Sequence, residues 1–414
     1  MRALVEQATQ ELMPRLRRLR GELRWARREL TEAYELAVVP NAPAAGATFW
    51  PSRLATALLR AARARLDGGA PVHAGVPPAA LPSGRRPLVL HVIDGVTVGG
   101  SQKITFDLVR RLGSRWDMQI VTSGVSGDDF GNLPIVATGN DVERVLGRRP
   151  ALVHLHCWGR TPWIQRALAA IERCCPGVPV LENMNNPGEA WHHPAVRHVA
   201  YVSRWLADGQ REPGADHSVV YPGVDTDAFT PAPELPRDEV LGLVYRLERD
   251  KLSADAVDVL IDIARRRPRV RVVIVGTGSL FRPWVQRIRA AGVRDRFELL
   301  GRVPFDALPD IYRRFSLFIA PVHRESYGVV VPYALAMNIP VCGYRVGALP
   351  ELVGDHGALA DTPEALAALA AGLLADYPQR VALGARARAR AVERFSEAAM
   401  IDAYDGLYQR LVSA

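Results

Sequence analysis

The spacing of apolar positions changes twice along this chain. Over residues 1 to about 40, Leu12, Leu16, Leu19, Leu23, Ala26, Leu30, Ala33 and Ala37 recur at intervals of four and three, which places them on one face of a helix. Arg15, Arg17, Arg18, Arg20, Arg24, Arg27 and Arg28 fill the other faces, with Glu22, Glu29, Glu32 and Glu35 between them. Pro14 can open the first turn. Such a helix can dock on its own chain, pair with a second copy as a coil, or lie on a membrane surface. Residues 41 to 86 join a short helical stretch, Arg53 to Leu66, to a proline- and glycine-rich linker.

From Pro87 the period shortens. LVLHVID, MQIVTS, ALVHLH, VPVLEN and VAYVS are short apolar runs separated by amphipathic segments. After the proline-broken FTPAPELPRDE the alternation restarts with LGLVYR, VRVVIVG, RFELLG, LFIAP and IPVCGY. Strands alternating with helices predict parallel sheets covered on both faces. The expected architecture is therefore α/β, two doubly wound Rossmann-like units facing a cleft. The expected divisions are 1–86 helical extension and linker, 87–222 first unit, 223–395 second unit, and 396–414 a last helix. Ligands of such sheets sit at the carboxyl ends of the strands.

A length of 414 residues exceeds one ordinary core. No run reaches the eighteen or so apolar residues that span a bilayer, and MRALVEQATQ lacks the apolar segment of a secretory signal. Cys157, Cys174, Cys175 and Cys342 lack metal-site spacing and read as reduced thiols. A cytoplasmic location is expected. The net charge of +8 suits an anionic substrate or an acidic membrane surface. It suits nucleic acid least, because the basic residues are not interleaved with aromatics.

The 52 basic residues include only two lysines, Lys103 and Lys251. Each follows a strand, where a compact ammonium suits a phosphate better than a planar fork. VYRLERDKL puts Arg246 and Lys251 on one loop, so two cations can clamp a diphosphate; pairing with Glu248 and Asp250 is the plainer alternative. Gly276-x-Gly278 lacks the rest of a dinucleotide fingerprint and reads as close backbone approach. Glu325, before Ser326-Tyr327-Gly328-Val329, can accept from two neighbouring hydroxyls, while the loop amides cradle an anion. Gly99 and Gly100 let the first unit approach a ligand. His156 is expected to face the cleft beside Trp158, with His154 on the opposite face. Glu182, Asn183, Asn185, Asn186, Trp191, His192 and His193 suit a hydroxyl-rich acceptor. Asp225-x-Asp227 has no further oxygen ligands nearby, and no metal site is expected.

Taken in order, these motifs resemble the retaining glycosyltransferases of family 4, which have the GT-B fold. The likeness runs from about Pro87 to the C-terminus. It rests on Gly99-Gly100, His156, Ser203, the hinge Gly223-Val224-Asp225 with Phe229, Arg246 with Lys251, and Phe297-x-x-Leu300-Gly301 with Leu308. It continues through Glu325-Ser326-Tyr327-Gly328, Pro350-Glu351 and Arg394-Phe395-Ser396. The resemblance implies a metal-independent transferase whose donor is a nucleotide sugar of UDP or GDP type, with no further cofactor. It implies that Arg246 and Lys251 hold the diphosphate, that Arg302 lies near the base, and that the 325–329 loop touches sugar and phosphate. His156 and Asn183 to Asn186 then face sugar and acceptor, and the last helix crosses back onto the first unit. The expected acceptor is a small polar metabolite such as a cyclitol or aminosugar, in natural product biosynthesis. A membrane lipid acceptor and a catalytically inactive partner subunit are the alternatives. The chain departs from the family at Tyr333, where a ribose-binding glutamate is usual, and at Tyr245, Leu252 and Asn338, where glycine is usual.

Overall fold

Short strands with no polar face need cover on both sides, and this chain supplies it with helices between nearly every pair. The computed structural model describes residues 86–95, 100–124, 133–138, 142–157, 161–186, 195–210, 216–354 and 357–413. The helix expected over residues 1–40, the stretch 53–66, Gly99, Trp158, Trp191, His192 and His193 lie outside the described residues.

The first sheet domain contains β1 (Leu88–Ile93), α1 (Gly100–Leu112), β2 (Asp117–Thr122), β3 (Ile135–Thr138), α2 (Val142–Leu146), β4 (Leu152–Cys157), α3 (Pro162–Cys174), β5 (Val180–Met184), β6 (Val196–Tyr201), α4 (Arg204–Gln210) and β7 (His217–Val219). Its seven strands are ordered β3-β2-β1-β4-β5-β6-β7, every pair parallel. The second contains β8 (Val240–Val244), α5 (Ala256–Arg266), β9 (Arg271–Val275), α6 (Phe281–Ala290), β10 (Phe297–Gly301), α7 (Leu308–Tyr312), β11 (Leu317–Ala320), α8 (Val330–Ala336), β12 (Val341–Tyr344), α9 (Leu349–Val353), β13 (Gly357–Ala360), α10 (Pro363–Ala375) and α11 (Tyr377–Arg394). Its order is β10-β9-β8-β11-β12-β13, again all parallel. Two doubly wound Rossmann-like domains are what the alternating pattern predicts.

Local chemistry fixes several helix starts. Thr161 accepts from the Ile164 amide at 3.3 Å, and Thr362 from the Ala365 amide at 3.2 Å. Asp376 accepts from the Gln379 amide at 2.9 Å, and all three helices carry proline in the first turn. Each cap satisfies one donor that the helix cannot. No described helix is long and apolar enough to cross a membrane.

The hinge motif has a structural use at each position. A side chain at Gly223 would lie 2.5 Å from the Glu397 Cα. That space lets Val224 bond to Phe395 O and Glu397 N at 2.8 Å each. Asp225 Oδ1 accepts from the amides of Asp227 and Ala228 at 3.0 Å each, so it stabilises a turn. Phe229 is fully buried.

Beyond this crossing, α12 (Glu397–Ser413) packs on α1 and β4 of the first domain, as the family resemblance implies. Buried Asp405 anchors it, accepting from Trp116 Nε1 at 2.7 Å and from the Arg115 guanidinium. Asp405→Ala is expected to lower stability by about 3 kcal/mol, because it also orphans the indole N–H. Asp405→Asn, which keeps an acceptor, should cost clearly less; urea midpoints of the two variants check this.

Candidate active site

Sheet order brings together two loops far apart in sequence. β8 and β11 are neighbours where the strand order of the second sheet reverses, and ligands of open α/β sheets bind at such a point. The loop after β8 carries Arg246 and Lys251; the loop after β11 carries Glu325. Lys251 Nζ donates to Glu325 Oε1 at 2.6 Å, and the His323 amide donates to Lys251 O at 3.0 Å. Glu325 is 2% exposed, so its charge is held away from water by one ammonium.

Two glycines make room for Glu325, one beside its carboxylate and one beside its backbone. Gly328 has φ +79°, and a Cβ there would lie 2.7 Å from the Glu325 carboxyl carbon. Gly347 has φ +55°, and a Cβ there would lie 1.9 Å from Glu325 O. The Ala348 amide donates to that same oxygen at 2.9 Å. Among the described residues, no backbone carbonyl accepts from the amides of Ser326 to Val330, leaving a row of donors on the cleft loop.

Arg246 is exposed and pairs with Asp250 at 2.7 Å, as the plainer alternative had it. Surface pairs of this kind are worth about 0–1 kcal/mol, so an arriving phosphate can recruit the guanidinium cheaply. Glu248 is otherwise engaged: it accepts from the Ser279 amide at 3.1 Å and the Ser279 hydroxyl at 2.5 Å. Gly276 approaches closely, as expected, since a Cβ would lie 1.9 Å from Tyr245 O. Arg302 is exposed at the end of β10.

Other expected residues take different places. Lys103 lies inside α1 and pairs with Asp107 one turn on, so its ammonium is not free on a loop. Burial raises the Asp107 pKa although Lys103 opposes this. Ser326 is buried, and the Tyr327 ring packs at the hinge with its hydroxyl donating to Pro222 O at 2.7 Å; only backbone can serve a ligand at 327. Tyr333 is a core position: 3% exposed, it stacks on Phe229 at 4.2 Å and 6°. Burial, then Asp107, raises its hydroxyl pKa.

The first domain departs most from expectation. His154 and His156 are two residues apart on one strand, so both face the same side. His156 is fully buried, with Nε2 3.1 Å from His91 Nδ1, and does not open onto a cleft. His154 Nδ1 lies 2.7 Å from the Tyr408 hydroxyl of α12. Burial lowers all three imidazole pKa values, that of His91 to about 3, so the rings are neutral. Asn183 is also buried beneath α12, bonded to the Tyr404 hydroxyl and to Asn185 at 3.0 Å. Of the acceptor candidates described, Asn186 is exposed and Asn185 partly so.

Residues 238–376 match the family model described as glycosyl transferases group 1. Over these residues the second domain is similar to group 1 glycosyl transferases, and the two-domain fold is GT-B. A D-inositol 3-phosphate glycosyltransferase of Segniliparus rotundus is 30% identical over 291 residues, 61% of this chain and 65% of that protein. Another, from Mycolicibacterium smegmatis, is 33% identical over 211 residues, 47% of this chain and 48% of that protein. The chain thus spans less than two thirds of these relatives' length. The crystal structure of Anabaena HepE in complex with UDP superimposes with a TM-score of 0.66, at 17% identity, over 78% of this chain and 100% of that one. The family 4, GT-B resemblance read from the motifs is supported at the level of family and fold.

The second domain also reaches across to the first through Glu351, which the sequence marks as a family landmark without a role. Glu351 on α9 accepts from the Arg204 and Trp205 amides at 2.9 and 3.0 Å, and from the Tyr221 hydroxyl at 3.0 Å. Desolvation and Glu351 together push the Tyr221 pKa up to about 12. Glu351→Ala is expected to loosen the domains by about 2–4 kcal/mol, seen as a larger radius of gyration by small-angle scattering with each domain's fold intact. Tyr245, noted in the sequence only as a departure from the family's glycine, has its hydroxyl buried without a partner among the described residues, and burial plus Glu325 raises its pKa.

Proposed function

We propose that this chain is a retaining, metal-independent glycosyltransferase that moves a hexosyl unit from a nucleotide sugar to a small hydrophilic acceptor. The observation that carries the reading is the Lys251–Glu325 pair at 2.6 Å, at the switch point of the second sheet and beside exposed Arg246. The two cations neutralise the diphosphate as the bond from the sugar's C1 to phosphate oxygen breaks. A bond from C1 to the acceptor oxygen forms on the same face. The acceptor's proton passes to the departing phosphate oxygen. Glu325, held in place by Lys251, turns its second oxygen to the sugar's hydroxyls, and the 326–330 amides meet phosphate oxygens.

The names of the sequence relatives support a cyclitol phosphate as acceptor class, and the UDP bound to the structural neighbour supports a uridine donor. A panel of UDP- and GDP-sugars, offered with inositol phosphates and aminosugars, tests this. Saturating nucleoside diphosphate, at about 100 times its Kd, should stabilise the fold by about 2.7 kcal/mol. Proton NMR of the product should show the donor's anomeric configuration, and brief EDTA treatment should leave the rate unchanged. No protection by any nucleotide, or an inverted product, would defeat the reading.

A further inference from the structure

We propose that His91, His154 and His156 form a buried binding site for one transition-metal ion, separate from the Lys251–Glu325 cleft. β1 and β4 are adjacent, with His91 in register with His154, and His156 follows two residues later. All three rings therefore leave the sheet on one face, each fully buried. Candidate donor atoms from the three lie within 4.8 Å of one another. His91 Nδ1 and His156 Nε2 are 3.1 Å apart. Two nitrogens on a tetrahedral ion, each about 2.0–2.1 Å from it, sit about 3.3 Å apart. Two of the three donors are thus within a few tenths of an ångström of ligand spacing.

Two ring nitrogens in the cluster, His154 Nε2 and His156 Nδ1, are buried and have no hydrogen-bond partner among the described residues. A protein rarely leaves such atoms unmatched. An ion bound by His154 Nε2, His91 Nδ1 and His156 Nε2 answers the first directly. Tyr408, 2.7 Å from His154 Nδ1, can accept the N–H there and so leave the lone pair on Nε2, the orienting contact that ligating histidines usually have. The proton shared by His91 and His156 then moves to an outer nitrogen, so neutral rings bind the ion without losing protons.

The donor set narrows the ion's class. Among the described side chains no carboxylate or thiolate joins the cluster. Imidazole alone suits copper and zinc and does not suit calcium or magnesium. With no anion to offset charge in a buried place, monovalent copper(I) fits better than zinc. The Met118 thioether, 3.3 Å from His91 Nε2, can accept the N–H of that outer nitrogen and so leave the Nδ1 lone pair to the ion. The ion's role would be structural, tying β1 and β4 to the helix above them.

Titrating the purified full-length chain with copper(I) and, separately, zinc(II), each against a chromogenic chelator, tests the site. One ion per chain is expected from at least one metal, with a raised melting temperature. X-ray absorption should show nitrogen ligands at about 2.0 Å. His91→Gln and His154→Gln should abolish that uptake. If either variant fails to fold, the absorption spectrum of the wild-type chain decides alone. Failure of both metals to bind stoichiometrically, or a ligand shell of sulfur or oxygen, would overturn the proposal, and neither outcome bears on sugar transfer.

Discussion

Lys251→Ala is expected to cut turnover by about 100- to 1000-fold, the loss typical of one donor aimed at developing charge. It should also destabilise the fold, because Glu325 would remain buried without its ammonium. Breaking a fully buried pair costs about 3–5 kcal/mol. Here the lysine side chain is 23% exposed, so about 2–3 kcal/mol is expected. The double variant Lys251→Ala with Glu325→Gln removes the stranded charge; it should recover most of the stability and none of the rate. Arg246→Ala should lose a similar factor in rate with stability unchanged, since its only bond among the described side chains is to exposed Asp250. Donor turnover and thermal melts on the same preparations separate the two effects. A Lys251→Ala protein with full turnover would mean that the phosphate is held elsewhere.

Tyr333→Glu should be among the most damaging single changes, at about 4 kcal/mol or more. The ring lies flat on Phe229, with Tyr312 and Phe305 edge-on at 6.2 and 5.9 Å. A carboxylate there would lose the aromatic contacts and find no counter-ion among them. Tyr333→Phe keeps the stack and should fold normally. Denaturant unfolding of the pair is the measurement. A well-tolerated glutamate would instead return position 333 to the ribose of the donor.

Much of this was legible because it depends on local pattern. The apolar runs, the proline-marked helix starts and the ordered Gly223, Arg246, Lys251 and Glu325 motifs each state their geometry within a few residues. Tyr333 was harder, because an aromatic cluster assembles from four separate segments. His156 was misplaced for a more instructive reason. Its position at a strand's end suggested the cleft, yet strand period two ties it to His154, and the face they share is closed by Tyr408, 254 positions away. Doubly wound order makes the first and fourth strands neighbours, so His91 beside His154 was inferable from topology. Glu351 was marked by its motif but its role was not, since its partners are mostly backbone amides of the other domain.

The closing helix does more than fasten two halves. It roofs over three dry imidazoles and a buried asparagine with Tyr404 and Tyr408. A chain cut by a protease near Ser396 would let water reach those rings, and each would regain the ordinary appetite for a proton near pH 6.5. Mild acid, harmless to the intact molecule, would then charge the truncated one from within.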